Sequence, residues 1–294
     1  MEKVLVVGGS VIDIFAYPKE KIILADSNPG YLKQSLGGVG RNIAENLARL
    51  GIDTTLITPV GKDEGRKLVM QNAQEVMLKL SIIQTENTPT YISILNEEYD
   101  NVVAIAAMDE IERISKDDIK VKDSSFQNAD IIVVDTNLNQ ETLSYIFDTY
   151  KKPFYVDVIS CRKADRIKPY LRFIEALKMN RLEAQYLSGM LEENNPEVLA
   201  KFFINKGVKE VYITLGKEGS FFMNKTMFHQ FPSTPIQTKN TSGAGDAFFA
   251  GVIYAKIKGL DPMTWARKAA VLTVQSDHAV SNSMSVSALE EVKL

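Results

Sequence analysis

The chain has 294 residues, a net charge of -3, 45% hydrophobic and 24% charged residues, and a single cysteine, Cys161. That size fits one α/β domain, or a large domain with a small one, with enough apolar residues to bury a full core. The evenly spread charge excludes a basic stripe for nucleic acid or a membrane surface, and so few cysteines and histidines exclude a disulfide framework, a Cys-based metal site and a hydrolase triad.

Val4–Val7 followed by Gly8-Gly9 reads as a buried strand ending in a tight turn. No signal peptide is read before it and no apolar run is long enough to span a bilayer, so a reducing cytoplasm is the expected setting. The turn lacks the glycine spacing of a dinucleotide fingerprint. Val11–Tyr17 alternates as a second strand, with Asp13 out of place among apolar neighbours, either solvent-facing or a polar hook for a ligand. Leu36 to Asn42 then opens an amphipathic helix that ends at Leu50-Gly51, with Ile43, Ala44, Leu47 and Leu50 on its apolar face. Asn42 and Asn46 share another face, which suits polar work or a solvated flank.

Thr54–Val60 reads as a strand and Glu64–Leu80 as mostly helix. The segments Ser81–Gln84, Thr90–Leu95 and Val102–Ala106 are then too much consecutive strand for a βαβ alternation. Together with Val11–Tyr17 they predict a small separate sheet, a lid over one edge of the main domain. From Ala129 onward the alternation is regular. Strands at Ile131–Asp135, Phe154–Val158, Ala176–Met179 and Val211–Leu215 are separated by helices at Gln140–Tyr150, Arg181–Gly189 and Pro196–Lys206. Such a pattern predicts a parallel sheet with right-handed crossovers and function at the C-terminal strand ends, which carry Asp135, Asp157, Asn180 and Gly216. Ser220–Met223 and Met227–Phe231 read as a hairpin, and Met263–Ser276 and Val286–Val292 as closing helices.

Between them, Asn240 to Phe248 is a run of small residues that opens directly into an apolar segment reaching about Lys258. Gly243, Ala244 and Gly245 let the backbone approach a ligand, and the first N–H groups of a helix starting there form an anion site. Asp246 lies in that first turn. It serves there either as a cap favourable to the helix dipole or as a base that takes a proton from an alcohol attacking phosphorus. Asn180 and Glu183 are three apart at a strand-to-helix junction, which suits either a capping box or water-mediated binding of Mg²⁺ on a nucleotide. Thr214-Leu215-Gly216-Lys217-Glu218-Gly219 is a strand-end glycine turn able to lie against a nucleotide. Lys163 follows the strand bearing Asp157 and is either solvated or a positive charge for a transferring phosphate.

These residues, in this order, resemble the ribokinase-like (PfkB) carbohydrate kinases over essentially the whole chain. Gly37-Gly38 with Asn42 is similar to the N-terminal signature of that family, and Asn240–Asp246 to its C-terminal signature. Within the family the resemblance is greater to the pseudouridine kinases. It is carried by residues 37–48, by Thr90–Leu95, by Val156–Ser160 with Lys163-Ala164, and by Lys178–Ala184. The resemblance implies a three-layer α/β/α fold with a small β-sheet lid, ATP and Mg²⁺, transfer to a ribose 5′-hydroxyl, and often dimers through the lid. It casts Asp246 as base, Gly243, Ala244 and Gly245 as anion hole, and Asp13, Gly38 and Asn42 as ribose contacts. The lid strands around Tyr91–Ser93 and Val103–Ile105 are then the places to choose a base. Two positions depart from the family pattern. Asn240 stands where ribokinases usually carry an Asp that helps hold a monovalent cation, and Ala106-Ala107-Met108 is less polar than in the pseudouridine kinases. The rival expectations are a ribokinase-type kinase of a free sugar or another nucleoside, and a non-catalytic nucleotide-binding regulator. A regulator gains nothing from a carboxylate at position 246.

Overall fold

The computed structural model describes residues 2–294. In chain order its strands are β1 (Lys3–Val7), β2 (Val11–Pro18), β3 (Gly30–Gly37), β4 (Asp53–Val60), β5 (Lys79–Gln84), β6 (Thr90–Leu95), β7 (Asn101–Ala107), β8 (Ile131–Asp135), β9 (Phe154–Asp157), β10 (Ile174–Asn180), β11 (Glu210–Thr214), β12 (Ser220–Asn224) and β13 (Phe228–Phe231). The large sheet has the order β13-β12-β11-β10-β9-β8-β1-β4-β5, and the small one β3-β2-β6-β7. From β11 to β5 every neighbouring pair in the large sheet is parallel. The β12 and β13 hairpin extends it antiparallel at one edge.

A parallel sheet must be covered on both faces, and β1 shows how the sequence meets that need. Leu5 and Val7 point into one core with Ile132, Val134, Phe147 and Phe154. Val4 and Val6 point into the other with Ile43, Leu47, Phe249 and Ile253. Helices on each side complete three layers. The helix Ala244–Lys258 is buried over Asp246–Ala255 because it lies between the sheet, the helix Val39–Arg49 and the helix Pro262–Val274. An unbroken apolar run is what such an enclosed helix requires.

The lid differs from expectation at two strands. Ser81–Gln84 belongs to β5, which pairs in parallel with β4 at the edge of the large sheet. The helix before it stops at Glu75. Val76, Leu78 and Ile83 are buried, and Leu80 and Ile82 pack on a third small cluster, so the period has already changed from helical to alternating before Lys79. The fourth lid strand is β3, which sequence reading passed over because it is mostly exposed and carries Lys33 and Gln34 in place of an apolar face. Its conformation comes from pairing with β2 along its whole length. Where the lid leaves the body, Ile12, Ile14 and Leu36 rest on Val60, Val69 and Leu80. Farther out, Leu32, Ile94, Val103 and Ile105 are exposed.

The contact between the two central helices is set by Gly251. A Cβ there would lie 2.7 Å from both the Cα of Ala266 and the carbonyl oxygen of Trp265. Gly251→Ala gains about 1 kcal/mol of helix propensity but overpacks backbone against backbone, at about 1–3 kcal/mol. The expected net result is a lower urea midpoint for the variant. A higher midpoint would mean that the helices separate without loss.

Candidate active site

The large sheet delivers its polar strand ends to one place. By register Asp135 on β8 stands beside Asp157 on β9, Asp157 beside Lys178 on β10, and Asn180 beside Thr214 on β11. The helix Ala244–Lys258 begins above this row. Its cap, Gly243, has φ 75°, a left-handed conformation that suits glycine, and a Cβ there would collide with the carbonyl oxygen of Ala279. Asn240 shapes the approach by accepting a hydrogen bond from the Ser242 N–H at 2.9 Å. Ala244 N–H is spent on the Thr241 carbonyl, while the Gly245 and Asp246 N–H groups have no protein acceptor among the described residues. Unpaired donors at a helix start form an anion site.

Asp246 is buried beside that opening and accepts a hydrogen bond from Asn42 Nδ2 at 2.7 Å. Burial raises its pKa, opposed by Lys178, by the Asn42 bond and by Arg41. A carboxyl whose affinity for a proton is raised by burial and held in check by these neighbours suits the role of a base. Lys178 donates to both oxygens of Asp157, at 3.1 and 3.0 Å, and its Nζ is 2.8 Å from where a Cβ on Gly245 would be. Burial pulls the Lys178 pKa down, but Asp157, Asp246 and Glu183 outweigh it and hold the ammonium charged. A fixed positive charge therefore lies directly under the anion-binding turn.

On the side toward the lid, Asp13, Ser35 and Tyr91 are cross-strand partners on β2, β3 and β6 and share one face of the small sheet. Ser93, two residues on, shares it and is buried, and Tyr91 packs on the main core. Burial pushes the Asp13 carboxyl up to about 6, with Arg41 opposing. Gly38, at φ 93°, lies against the carbonyl oxygen of Gly9. Lys163 donates to Asn137 Oδ1 at 2.8 Å, and its charge acts on Asp135. It thus stands at the end of β8, on the lid side of the row. Asp135 accepts from the Asn137 N–H through Oδ1 at 2.8 Å, while Oδ2 is buried beside Gly8 and Gly40 with no well-directed partner.

On the other side, Asn180 and Glu183 form a reciprocal capping box, each side chain accepting the other's backbone N–H at 2.8 Å. Gly216 and Gly219 turn the chain after β11 into β12, and Glu218 between them is paired with Arg181 at 2.7 Å. No group of three or more His, Cys, Asp or Glu side chains among the described residues is arranged to hold a metal directly. Glu183 uses only Oε2 in its cap. One free carboxylate oxygen beside an anion site fits Mg²⁺, which keeps its waters and takes its remaining ligands from phosphates.

The site therefore joins Asn42 to Asp246 directly and sets Asn180 and Glu183 next to the Thr214–Gly219 turn. Sequence reading placed Asp135 only at a strand end where function is expected, and assigned no role to Lys178 or Arg41. The signal for Lys178 was present, since a lysine within Ala176-Leu177-Lys178-Met179 interrupts a strand otherwise suited to full burial.

Comparison with known proteins adds an independent line. The sequence model described as pfkB family carbohydrate kinase matches residues 1–285. The chain is 35% identical to a pseudouridine kinase of Escherichia coli (strain K12) over 265 residues, covering 87% of this chain and 84% of that protein. It is 27% identical to a ribokinase of Staphylococcus aureus (strain COL) over 307 residues, covering 99% and 98%. A solved carbohydrate kinase from Agrobacterium tumefaciens superposes with a TM-score of 0.86 at 29% identity, covering 99% of this chain and 96% of that one. The chain belongs to the pfkB family of carbohydrate kinases, and its architecture is that of the ribokinase-like fold.

The buried carboxyl of Asp135 gives a test of the site's electrostatics that needs no substrate. Burial pushes its pKa up to about 7, chiefly by desolvation. The folded chain therefore keeps a proton there that the unfolded chain releases near the ordinary aspartate value, so stability falls as pH rises from about 4 to about 7. Asp135→Asn removes this dependence. The variant's melting temperature relative to the unsubstituted chain should climb between pH 5 and pH 8, by roughly 2–4 °C for each kcal/mol of linkage. A difference that stays flat across this range would show that the carboxyl is not desolvated.

Proposed function

We propose that this pfkB-family kinase transfers the γ-phosphate of ATP to the 5′-hydroxyl of a nucleoside, with pseudouridine as preferred acceptor. The observation that carries the chemistry is Asp246, buried at a helix start beside two unpaired N–H groups and above the Lys178 ammonium. The acceptor class rests on the 35% identity to a pseudouridine kinase.

In this reading Asp246 takes the hydroxyl proton as the acceptor oxygen bonds to the γ-phosphorus. The bond from phosphorus to the β–γ bridging oxygen breaks, and ADP leaves with that electron pair. The Gly245 and Asp246 N–H groups and Lys178 receive the negative charge that spreads over the transferring phosphoryl oxygens. Glu183 would hold Mg²⁺ through water, which would supply positive charge to the nucleotide phosphates. Thr214, Gly216 and Gly219 flank the nucleotide. Asp13, Gly38 and Asn42 bind the ribose, and Asp135 offers its unpartnered oxygen to a ligand O–H or N–H. Tyr91 and Ser93 face the base, and Lys163 lends positive charge on the acceptor side for the transferring phosphate.

Asp246→Asn keeps the size and the polarity but cannot accept the proton. Its kcat should fall on the order of 10²–10⁴-fold while ATP still binds, as read by calorimetry. A variant within a few-fold of the parent would remove Asp246 from the role of base.

Substrate choice is tested separately. Pseudouridine presents a ring N–H that uridine lacks, and a site with a buried acceptor for it leaves that acceptor unpaired when uridine binds. Such mismatches cost orders of magnitude in kcat/KM, whereas shape alone discriminates weakly. With ATP in excess, kcat/KM should be highest for pseudouridine and lower by roughly 10²-fold or more for uridine, cytidine, adenosine and ribose. Equal turnover of ribose would instead favour a free-sugar kinase like the Staphylococcus relative.

A further inference from the structure

Arg41 is a buried guanidinium on the face of the Val39–Arg49 helix that meets the site, and the phosphoryl-transfer scheme leaves it without a task. Its Nη1 donates at 2.8 Å to the carbonyl oxygen of Leu36, at the root of lid strand β3, and at 2.8 Å to Oδ1 of Asn42. Its Nη2 pairs with Glu45, which also accepts from Arg49 at 2.8 Å. Asn42 is itself buried, and its Nδ2 is the group that reaches Asp246 Oδ2 at 2.7 Å.

An amide side chain has two orientations that differ only in which end carries the donors. Asn42 lies between a guanidinium, which can only donate, and a carboxylate, which when ionised can only accept. The flipped amide would place its N–H groups against Arg41 and its oxygen against Asp246, so both contacts would become repulsive. We propose that Arg41 is a positioning residue that locks the Asn42 amide with its N–H₂ end toward Asp246, and so aims the Asp246 carboxylate and favours its ionised form. The locked amide has a second N–H, free for an acceptor hydroxyl. One guanidinium thereby sets both the state of Asp246 and the direction of a substrate contact.

This inference rests on the reading of Asp246 as the base, but its physical content is the ionisation of that carboxyl, which is measurable by itself. The groups that face Asp246 are Arg41 and Asn42 from the Val39–Arg49 helix, Lys178 from β10, and the carboxyls of Asp157 on β9, Asp135 on β8 and Glu183. Arg41→Met leaves Lys178 and the three carboxyls in place while freeing the amide and removing one positive charge. Both changes disfavour the ionised form, so the Asp246 pKa rises and the acidic limb of activity moves to higher pH.

The experiment titrates the Asp246 carboxyl by ¹³C NMR in the whole chain, assigned by its loss in Asp246→Asn, alongside the pH dependence of kcat/KM with pseudouridine and ATP. In Arg41→Met both midpoints should move up by about one unit or more, with kcat recovering toward the parent value above the shifted limb. Arg41→Lys keeps the charge and a donor and should restore most of the parent profile. An Asp246 midpoint that stays in place in Arg41→Met overturns the proposal. A carboxyl midpoint that moves while the kinetic limb does not upholds the role of Arg41 and removes Asp246 as the base. Should Arg41→Met fail to fold, Arg41→Gln is titrated instead. It also lacks the charge, and an unmoved midpoint in it likewise overturns the proposal.

Discussion

The structure turns on ionisable groups taken out of water where the ends of β8, β9 and β10 meet the start of the Ala244–Lys258 helix. Asp135, Asp157, Lys178, Glu183 and Asp246 are all buried there. Burying charge is expensive, and a buried ion pair such as Lys178 with Asp157 is weak evidence of a stability device. The arrangement makes sense as a site organised before its ligand arrives. Carboxyls outnumber the lysine, so the unpaired helix N–H groups are where this cluster best receives an anion. On the proposed function, the donors that receive a phosphate and the carboxyl that serves as base share one turn of helix. Lys178 separates the two tasks by standing beneath both.

That cluster explains why the surrounding core is so apolar. The helix bearing Asp246 is buried over ten residues, Asp246–Ala255. Fully enclosing that helix against Ile43, Leu47 and Ala266 supplies the hydrophobic stabilisation that offsets the polar end. The Gly251 contact keeps the helix in register with Pro262–Val274, and with it the position of Asp246 five residues earlier.

Much of this was legible in the sequence. The alternation after Ala129 gave the parallel sheet, and the glycines of Asn240–Asp246 gave the helix start, because both are local consequences of pattern and backbone sterics. Strand β3 was not legible, since its conformation is imposed by β2 and not by its own side chains. Strand β5 was legible as Ser81–Gln84, but its start was hidden at a change of period. Its place beside β4 was not legible, because sheet membership depends on register. The Asn42–Asp246 bond joins residues 204 positions apart, and no spacing rule foretells it. Lys178 was visible as an anomaly but its partner was not, because pairing across β9 and β10 depends on register. The capping box of Asn180 and Glu183 was foreseen as one of two alternatives. The structure shows that a cap leaves one carboxylate oxygen available, so the two are compatible.

The root of the lid and the substrate side of the site are built from the same few residues. Strand β2 leaves the body at Val11 and carries Asp13. Strand β3 returns at Gly37, beside Val11, and runs through Gly38 straight into the helix that bears Arg41 and Asn42. Ile12, Ile14 and Leu36, with Val11 and Tyr91 on the main core, anchor the root of this small sheet on the body, and every residue of β7, its outer strand, is exposed. A sheet held at one end by a small apolar contact pivots more readily than it deforms. Any pivot moves Asp13 and the Leu36 carbonyl together, because they lie on paired strands one register position apart. Arg41 bonds that same carbonyl, so lid position reaches the Asn42 amide through one guanidinium and its two hydrogen bonds. On the proposed function, an acceptor that moves Asp13 also moves the hydrogen bonds that align the Asp246 carboxylate, so acceptors are distinguished through rate as well as through affinity.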